Sequence, residues 1–149
     1  MQGHIDGVRI APTPQGAVPV VVIGVEDSTD VLPIFIGFSE AMAIARGLEA
    51  DDIGRPLTHD LFLDTIEELG GRIESIAVTA VEDDTYLADI RLATPRGSST
   101  IDARPSDSLA LVARTNAPIE IEADVFEKNC RPASEFADLE DIRQAQGIG

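Results

Sequence analysis

The chain has 149 residues, of which 44% are apolar and only 4% aromatic, so it is long enough for one packed domain with a core of Val, Ile, Leu and Ala. Its 27 acidic and 11 basic side chains give a formal net charge of −16, a balance that opposes attraction to nucleic-acid phosphates in dilute salt. The single cysteine, Cys130, excludes an intrachain disulfide and a multi-cysteine metal site. Because we find no signal peptide and no apolar run of membrane length, we expect a soluble, cytoplasmic protein that does not enter a membrane.

The charge is spread along the chain rather than gathered in a tail, and Lys128 is the only lysine among the basic residues. We interpret this as adaptation to a high-salt cytoplasm, where an acidic, lysine-poor surface stays hydrated while salt screens its self-repulsion. The alternative is a cationic partner. The halophilic interpretation predicts that the protein loses structure in dilute buffer.

Three strands open the chain. Residues 4–10, 18–26 and 31–37 are rich in β-branched and apolar residues, which is typical of strands. Proline and glycine at 11–17 and the polar sequence "EDSTD" separate them, which predicts turns. We therefore expect an antiparallel meander.

A first helix follows the third strand. Ser39 is a candidate N-cap, and Glu40 lies in the first turn, where the helix dipole favours an acid. Apolar residues then recur at helical spacing as far as Leu48. The polar sequence "DDIGRP", residues 51–56, predicts the end of this helix.

A second helix is predicted from Thr58, which is a candidate N-cap with Asp60 just inside the first turn. Leu61, Phe62, Ile66 and Leu69 fall on one face of this helix. The glycine pair that follows is a typical helix stop.

The second half of the chain continues the mixed pattern. The sequences "EDDT" and "PRG" predict hairpin turns between strands, and Asn116 is a candidate C-cap. The predicted elements are strands at 72–82, 85–94, 98–103 and 118–122 and helices at 105–115 and 123–129.

We therefore predict an α+β fold with a mixed, mainly antiparallel sheet and three to four helices in a single domain. We assign residues 1–130 to this domain. From Arg131 to residue 149 the sequence is polar, and we expect a tail that is partly helical or disordered.

Two helix starts have the same design. "THD" at 58–60 and "RPSD" at 104–107 each place backbone N–H groups, a hydroxyl and a carboxylate at a helix N-terminus, which attracts anions such as phosphate. Arg104 adds a guanidinium suited to phosphate oxygens, and His59 is a candidate general acid or base. Carboxylates of Asp60 and Asp107, together with Asp102, could hold a divalent cation.

A purely structural interpretation is also open. Thr58 and Ser106 are residue types that helix starts prefer, and Pro105 suits the first position of a helix. Arg104 could form an ion pair with Asp102. The two junctions would then only cap their own helices.

Several motifs resemble the bifunctional nuclease family in the same order along the chain. The resemblance covers about residues 5–128 and implies an α+β fold, usually oligomeric, with nuclease activity on RNA and DNA. The chain differs from ordinary members in its acidity. The matching residues are Pro33, Ile34, Gly37, Glu40, Pro56, Leu57, Thr58, His59, Asp60, Asp102, Ala103, Arg104, Pro105, Ser106 and Asp107.

Guided by these motifs, we assign roles from the chemistry of each side chain. The catalytic candidates are His59, Asp60, Arg104 and Asp107; the substrate-binding candidates are Thr58, Arg104 and Ser106; the metal candidates are Asp60, Asp107 and Glu40, for Mg²⁺ or Mn²⁺.

The leading hypothesis is a metal-assisted nuclease that acts on nucleic acid as a homo-oligomer. The alternative is a non-catalytic oligomeric protein that binds an anion or acts as a scaffold or regulator. A shared site requires the helix starts at 58–60 and 104–107 to lie within about 10 Å of each other.

Overall fold

A computed structural model of the chain describes residues 1–51 and 54–145. Residues 52 and 53 of the predicted connection 51–56, and residues 146–149 of the predicted tail, lie outside the described residues. The strands are β1 (Gln2–Thr13), β2 (Gly16–Val25), β3 (Asp30–Phe35), β4 (Arg72–Glu82), β5 (Thr85–Thr94), β6 (Gly97–Ala103), β7 (Ile119–Ile121), β8 (Arg131–Pro132) and β9 (Glu140–Asp141). The helices are α1 (Phe38–Leu48), α2 (Thr58–Glu68), α3 (Pro105–Thr115), α4 (Ala123–Asn129) and α5 (Ile142–Ala145), with a 3-10 turn at Ala133–Glu135.

All the described strands belong to one sheet, in the order β6-β5-β4-β7-β1-β2-β3-β8, and β9 pairs with β1. Strands β1, β2 and β3 form the predicted antiparallel meander. Strands β4, β5 and β6 form a second one through the two predicted hairpins. Strand β7 joins the two meanders, because it runs parallel to β4 and antiparallel to β1. The predicted α+β class with a mixed, mainly antiparallel sheet is confirmed.

Both faces of the sheet are covered. On one face α1 and α3 pack over the main core. Its fully buried side chains include Ile23, Leu32, Ile44, Ile76, Leu109, Ile119 and Ile121. Burial of each such side chain contributes roughly 1.5–3 kcal/mol to the free energy of folding. The two helices approach closely at Gly47, where a Cβ atom would lie 2.8 Å from the Cβ of Ala113. On the other face a smaller cluster packs around Phe136; it contains Ala11, Val20, Val22 and Val31.

The sheet is strongly curled. Strands β4, β7, β1 and β2 lie between β5 and β3 in the sheet, yet the Tyr86 hydroxyl on β5 donates to the Pro33 carbonyl on β3 over 3.4 Å. Strong coiling follows from the right-handed twist that neighbouring strands accumulate. As a result β3 faces the start of β5 at Pro33 and Tyr86, and we call this line of contact the seam.

None of the described helices has the length and apolar character needed to cross a membrane.

The helix starts and the first turn differ in detail from the prediction. The N-cap of α1 is Gly37, not Ser39, and the N-cap of α2 is Leu57, not Thr58. In α2 the reason is that the Asp60 carboxylate accepts a hydrogen bond from the Leu57 N–H at 3.0 Å, so a carboxylate reaching back replaces a hydroxyl cap. The predicted turn 11–17 is shorter, because β1 and β2 pair as far as Thr13 and Gly16, which leaves only residues 14 and 15 in the turn.

Arg131 begins a segment that is more regular than its polar composition indicates. Strand β8 pairs with β3, and β9 pairs with β1. Phe136 and Ile142 are buried, at 7% and 1% exposure, so isolated apolar side chains attach the segment to the sheet. Residues 131–145 contain the 3-10 turn and helix α5 as well as the two short strands. The sequence did not predict these strands, since two apolar anchors are too few to produce a periodic pattern. The division at residue 130 stays a prediction.

Candidate functional site

The starts of α2 and α3 lie side by side. The Nε2 atom of His59 is 2.9 Å from Oδ1 of Asp107. The His59 side chain is 19% exposed and that of Asp107 is 39% exposed, so the pair is sheltered but open to a ligand. The two junctions that the sequence singles out therefore meet in one place.

Arg104 extends this contact into a chain of charged groups. As the N-cap of α3, it donates from Nε to Oδ2 of Asp107 at 3.0 Å and from Nη2 to Oδ1 at 3.3 Å. Its Nη1 lies 3.5 Å from Oε1 of Glu40 on α1. The predicted ion pair with Asp102 is wrong, because the first turn of α3 brings the Asp107 carboxylate back over Arg104. We call Glu40, Arg104, Asp107 and His59 the charged network.

The electrostatics of the charged network keep Asp107 ionised. Partial burial raises its pKa, but hydrogen bonds from Arg104 and His59 act against burial and bring the pKa below the ordinary aspartate value. The same contacts with Asp107, and a weaker one with Glu40, raise the pKa of Arg104. Because an ionised carboxylate only accepts hydrogen bonds, Nε2 of His59 is the donor to Asp107, and Nδ1 of the neutral ring is left with a lone pair.

Glu40 reaches the charged network because Gly37 leaves room for it. A Cβ atom at Gly37 would lie 2.5 Å from Oε2 of Glu40, so the carboxylate folds back over the helix start. The backbone of Gly37 is ordinary extended chain, with φ −79°. The close approach of the Glu40 carboxylate, rather than an unusual dihedral angle, therefore requires glycine.

Asp60 does not join this network. Its Oδ1 accepts from Nε of Arg114 at 2.7 Å, and its Oδ2 accepts from the Leu57 N–H. Partial burial raises the pKa of Asp60, but the hydrogen bonds and the Arg114 charge bring it below the ordinary value. Asp60 and Arg114 line a separate cavity. Because Arg114 belongs to α3, its bond to Asp60 attaches α2 to the rest of the domain.

Arg114 is the residue that sequence reasoning missed. Its side chain is only 9% exposed, and its Nη1 donates to the carbonyl of Ala43 on α1 and to that of Ala110. With Asp60 as its third partner, it connects α1, α2 and α3. The signal in the sequence was an arginine in the last turn of α3, which by itself indicates only a favourable charge at a helix C-terminus.

A cavity of about 400 Å³ lies at the seam of the sheet, beside the charged network. Ser106, which is buried to 7% exposure, lines it next to the open N–H groups of the first turn of α3. Thr58 is exposed and is not among the residues that line it. The polar and charged lining residues include Glu40, Asp84, Asp102, Arg104 and Ser106.

The metal candidates are not brought together. In residues 1–51 and 54–145 no group of three or more His, Cys, Asp or Glu side chains is placed to hold a metal ion. Glu40 and Asp107 both face the Arg104 guanidinium, which occupies the position that a cation would take between them. In this arrangement the three carboxylates do not fit a shared metal site.

Comparison with known proteins gives the family context. Residues 21–134 match the family model described as the bifunctional nuclease domain. An uncharacterized protein of Mycobacterium tuberculosis is 36% identical over 123 residues, which are 83% of this chain and 72% of that protein. "Bifunctional nuclease 1" of Arabidopsis thaliana is 24% identical over 107 residues, 69% of this chain and 33% of that protein. "Bifunctional nuclease 2" of Oryza sativa subsp. japonica is 22% identical over the same length and share. The matched region spans about a third of these plant relatives.

Proposed function

The chain belongs to the bifunctional nuclease domain family, and from that premise we propose that it is a nuclease that hydrolyses phosphodiester bonds of RNA and DNA. The single observation that supports this is the contact of His59 with Asp107, which also holds Arg104. It places an acid–base group beside Arg104, a cation that lines the cavity, and phosphodiester hydrolysis requires both an acid–base group and a positive charge.

His59 is the general base in this proposal. Asp107 accepts the Nε2 proton and orients the ring, so that Nδ1 can take a proton from the attacking hydroxyl or water. After attack, the protonated ring can return that proton to the leaving oxygen. Asp107 then stabilises the imidazolium by its negative charge.

Arg104 and the start of α3 bind the phosphate. The guanidinium of Arg104, which is 64% exposed, can rotate toward a phosphate oxygen and stabilise the negative charge of the pentacoordinate phosphorane. The N–H groups of the first turn and the Ser106 hydroxyl can donate to the remaining oxygens. Thr58 stays a prediction as a substrate contact at the exposed start of α2.

Assistance by Mg²⁺ or Mn²⁺ stays a prediction from the sequence. Its proposed ligands Glu40 and Asp107 share Arg104, and Asp60 is bound to Arg114. Because these residues as arranged do not fit a common metal, no step of the proposed mechanism depends on one.

A non-catalytic function is the second candidate, and one observation favours it. The groups of the charged network already satisfy one another, His59 by its hydrogen bond to Asp107 and Arg104 by its ion pairs with Asp107 and Glu40, as they would in a purely structural connection between α1, α2 and α3. In that case the site binds an anion or acts as a scaffold without turnover.

We also propose that the protein is a homo-oligomer. Helix α2 has no buried residue within the described chain, and it exposes apolar side chains that a single copy leaves in water. Leu61 is 57% and Leu69 is 73% exposed. Light scattering coupled to size-exclusion chromatography tests this proposal, and a monomeric mass at micromolar concentration would contradict it.

The decisive experiment measures cleavage of fluorescent single-stranded RNA and DNA in multimolar KCl, with Mg²⁺, Mn²⁺ or EDTA. We expect His59→Ala combined with Asp107→Asn to abolish cleavage, while His4→Ala, which changes the other histidine of the chain, leaves it intact. If the double variant still cleaves the probe in the presence of EDTA, the proposed site is rejected. Loss in the double variant with full activity in EDTA would support the charged network without a metal.

A further inference from the structure

Two cavities meet at one exposed aromatic ring. The cavity beside the charged network and a second one of about 530 Å³ on the far side of the seam share three lining residues, Phe35, Asp84 and Tyr86. Arg104 lines the first cavity and Arg131 lines the second, so the three shared residues stand between them. We call the two adjoining cavities the seam groove.

Phe35 is the most exposed aromatic residue of the described chain. The protein has only five phenylalanines and one tyrosine; Phe126 and Phe136 are buried, whereas Phe38 and Phe62 are 43% and 39% exposed. The Phe35 side chain is 53% exposed, more than any other aromatic side chain of the described residues. An aromatic ring left in water beside a polar site forfeits a burial energy of roughly 1.5–3 kcal/mol, which points to a ligand that covers it.

Strand pairing fixes the backbone that carries this ring. Phe35 is the last residue of β3 and pairs with Val20 on β2. The next N–H, that of Ile36, donates to the Pro19 carbonyl at 3.1 Å. A ring on a rigid strand loses little conformational entropy when a flat ligand stacks on it.

Charge limits how a nucleic acid could bind in this groove. Arg104 already pairs with Asp107 and Glu40, and Arg131 pairs with Glu135 through two hydrogen bonds of 3.0 and 2.9 Å. Asp84 and Asp102 add negative charge to the walls. Phosphate contacts therefore contribute little affinity, and contacts with the bases must supply most of it.

We infer that Phe35 is a stacking platform for an unpaired base, so that the site takes single-stranded RNA or DNA rather than duplex. Stacking needs a base whose face is free, and in a duplex both faces of each base are covered by its neighbours. Phe35 is then a specificity-determining residue that positions the strand while the charged network acts on it. This inference rests on the proposed nuclease function.

The test measures binding apart from cleavage. All proteins carry His59→Ala, so that the probe is not consumed, and the probe is a fluorescein-labelled oligonucleotide of about ten nucleotides, single-stranded or paired with its complement. We expect Phe35→Ala to weaken single-strand binding by about tenfold or more and to leave the slope of log Kd against log salt unchanged, because no phosphate contact is lost. Binding of the duplex should change less than twofold.

A tryptophan variant gives a direct signature of stacking. The chain has no tryptophan, so Phe35→Trp introduces a single fluorophore that a stacked base quenches, and it should retain binding. Leu69→Trp is the matched control, since Leu69 is 73% exposed and lines a different cavity; its fluorescence should not change. Equal affinity of the Phe35→Ala protein, or no quenching at position 35, overturns the inference.

The two proposals fail in different ways. If the chain with His59 intact does not cleave the probe but Phe35→Ala loses binding, the nuclease function fails and the stacking platform stands. If cleavage occurs and Phe35→Ala binds and cleaves normally, only the stacking platform fails. If no single strand binds to the chain with Phe35 intact, the inference is overturned.

Discussion

The Nε2 atom of His59 lies 2.9 Å from Oδ1 of Asp107, a residue 48 positions away in the chain. This contact brings the starts of α2 and α3 together and holds the imidazole beside the Arg104 guanidinium. It is the relationship on which the proposed chemistry depends.

If the two residues act as one unit, their substitutions are not additive. His59→Ala alone and Asp107→Asn alone should each lower the cleavage rate by about 10²–10⁴-fold, and the double variant should be no slower than the slower single one. A double-mutant cycle of kcat/KM on single-stranded RNA measures this. Effects that multiply would show that the two side chains act independently.

Gly37→Ala should reduce activity with little effect on stability. A Cβ atom there would lie 2.5 Å from Oε2 of Glu40, and the flexible carboxylate can move aside at small cost. The movement removes Glu40 from Arg104, which then loses one of its two acidic partners. We expect a clear fall in the cleavage rate and a change of Tm within about 2 °C. The control is Gly97→Ala, at the exposed start of β6, where the residue lines a different cavity; because its φ of +116° disfavours Ala, it should lower stability but not the activity of the folded protein.

Arg114→Met should destabilise the protein and loosen α2. The substitution leaves the Ala43 and Ala110 carbonyls and the Asp60 carboxylate without their donor, which costs about 1–3 kcal/mol. Urea unfolding measures the loss, and hydrogen exchange should speed up most in α2. Arg91→Met is the comparison, because the Arg91 ion pair with Glu120 is about half exposed on both sides and contributes at most about 1 kcal/mol. Equal losses in the two variants would contradict the role of Arg114.

Stability should fall in acid through Asp60 and Asp107. Both have a pKa below the ordinary value near 3.9, so their stabilisation is present above that value and is lost as pH falls through their lower folded pKa. We expect Tm measured between pH 5 and pH 2 to drop in this window. The pair of changes Asp60→Asn and Asp107→Asn should flatten the curve; an unchanged curve would assign the acid sensitivity to other groups.

From the net charge we expect stability to depend on salt. At −16, self-repulsion is strong in dilute buffer, where the Debye length is about 30 Å at 0.01 M salt and about 3 Å at 1 M. Dialysis from multimolar KCl into dilute buffer should therefore lower helix and sheet content in circular dichroism. Folding that is indifferent to salt would remove the halophilic interpretation.

Most elements of the fold follow from local patterns. The run of β-branched residues in β2, the alternation in β5 and the proline at the start of α3 each act over a few residues, so they predict strands and a helix where the structure has them. Asn116 has the left-handed backbone expected of a C-cap, with φ 59°. Strands β8 and β9 were not predicted, because they are stabilised by pairing with distant strands rather than by their neighbours in sequence.

The sequence by itself therefore determined the types of the elements, the fold class and the two polar helix starts, because propensity, capping and periodicity depend on near neighbours. Only the tertiary structure decided which charged groups meet. It assigned Asp107 rather than Asp102 to Arg104, gave Asp60 to Arg114, and brought Phe35 to the cavity beside Arg104. The physical reason is that contacts between distant segments depend on how the sheet curls and how the helices pack, and no local pattern contains that information.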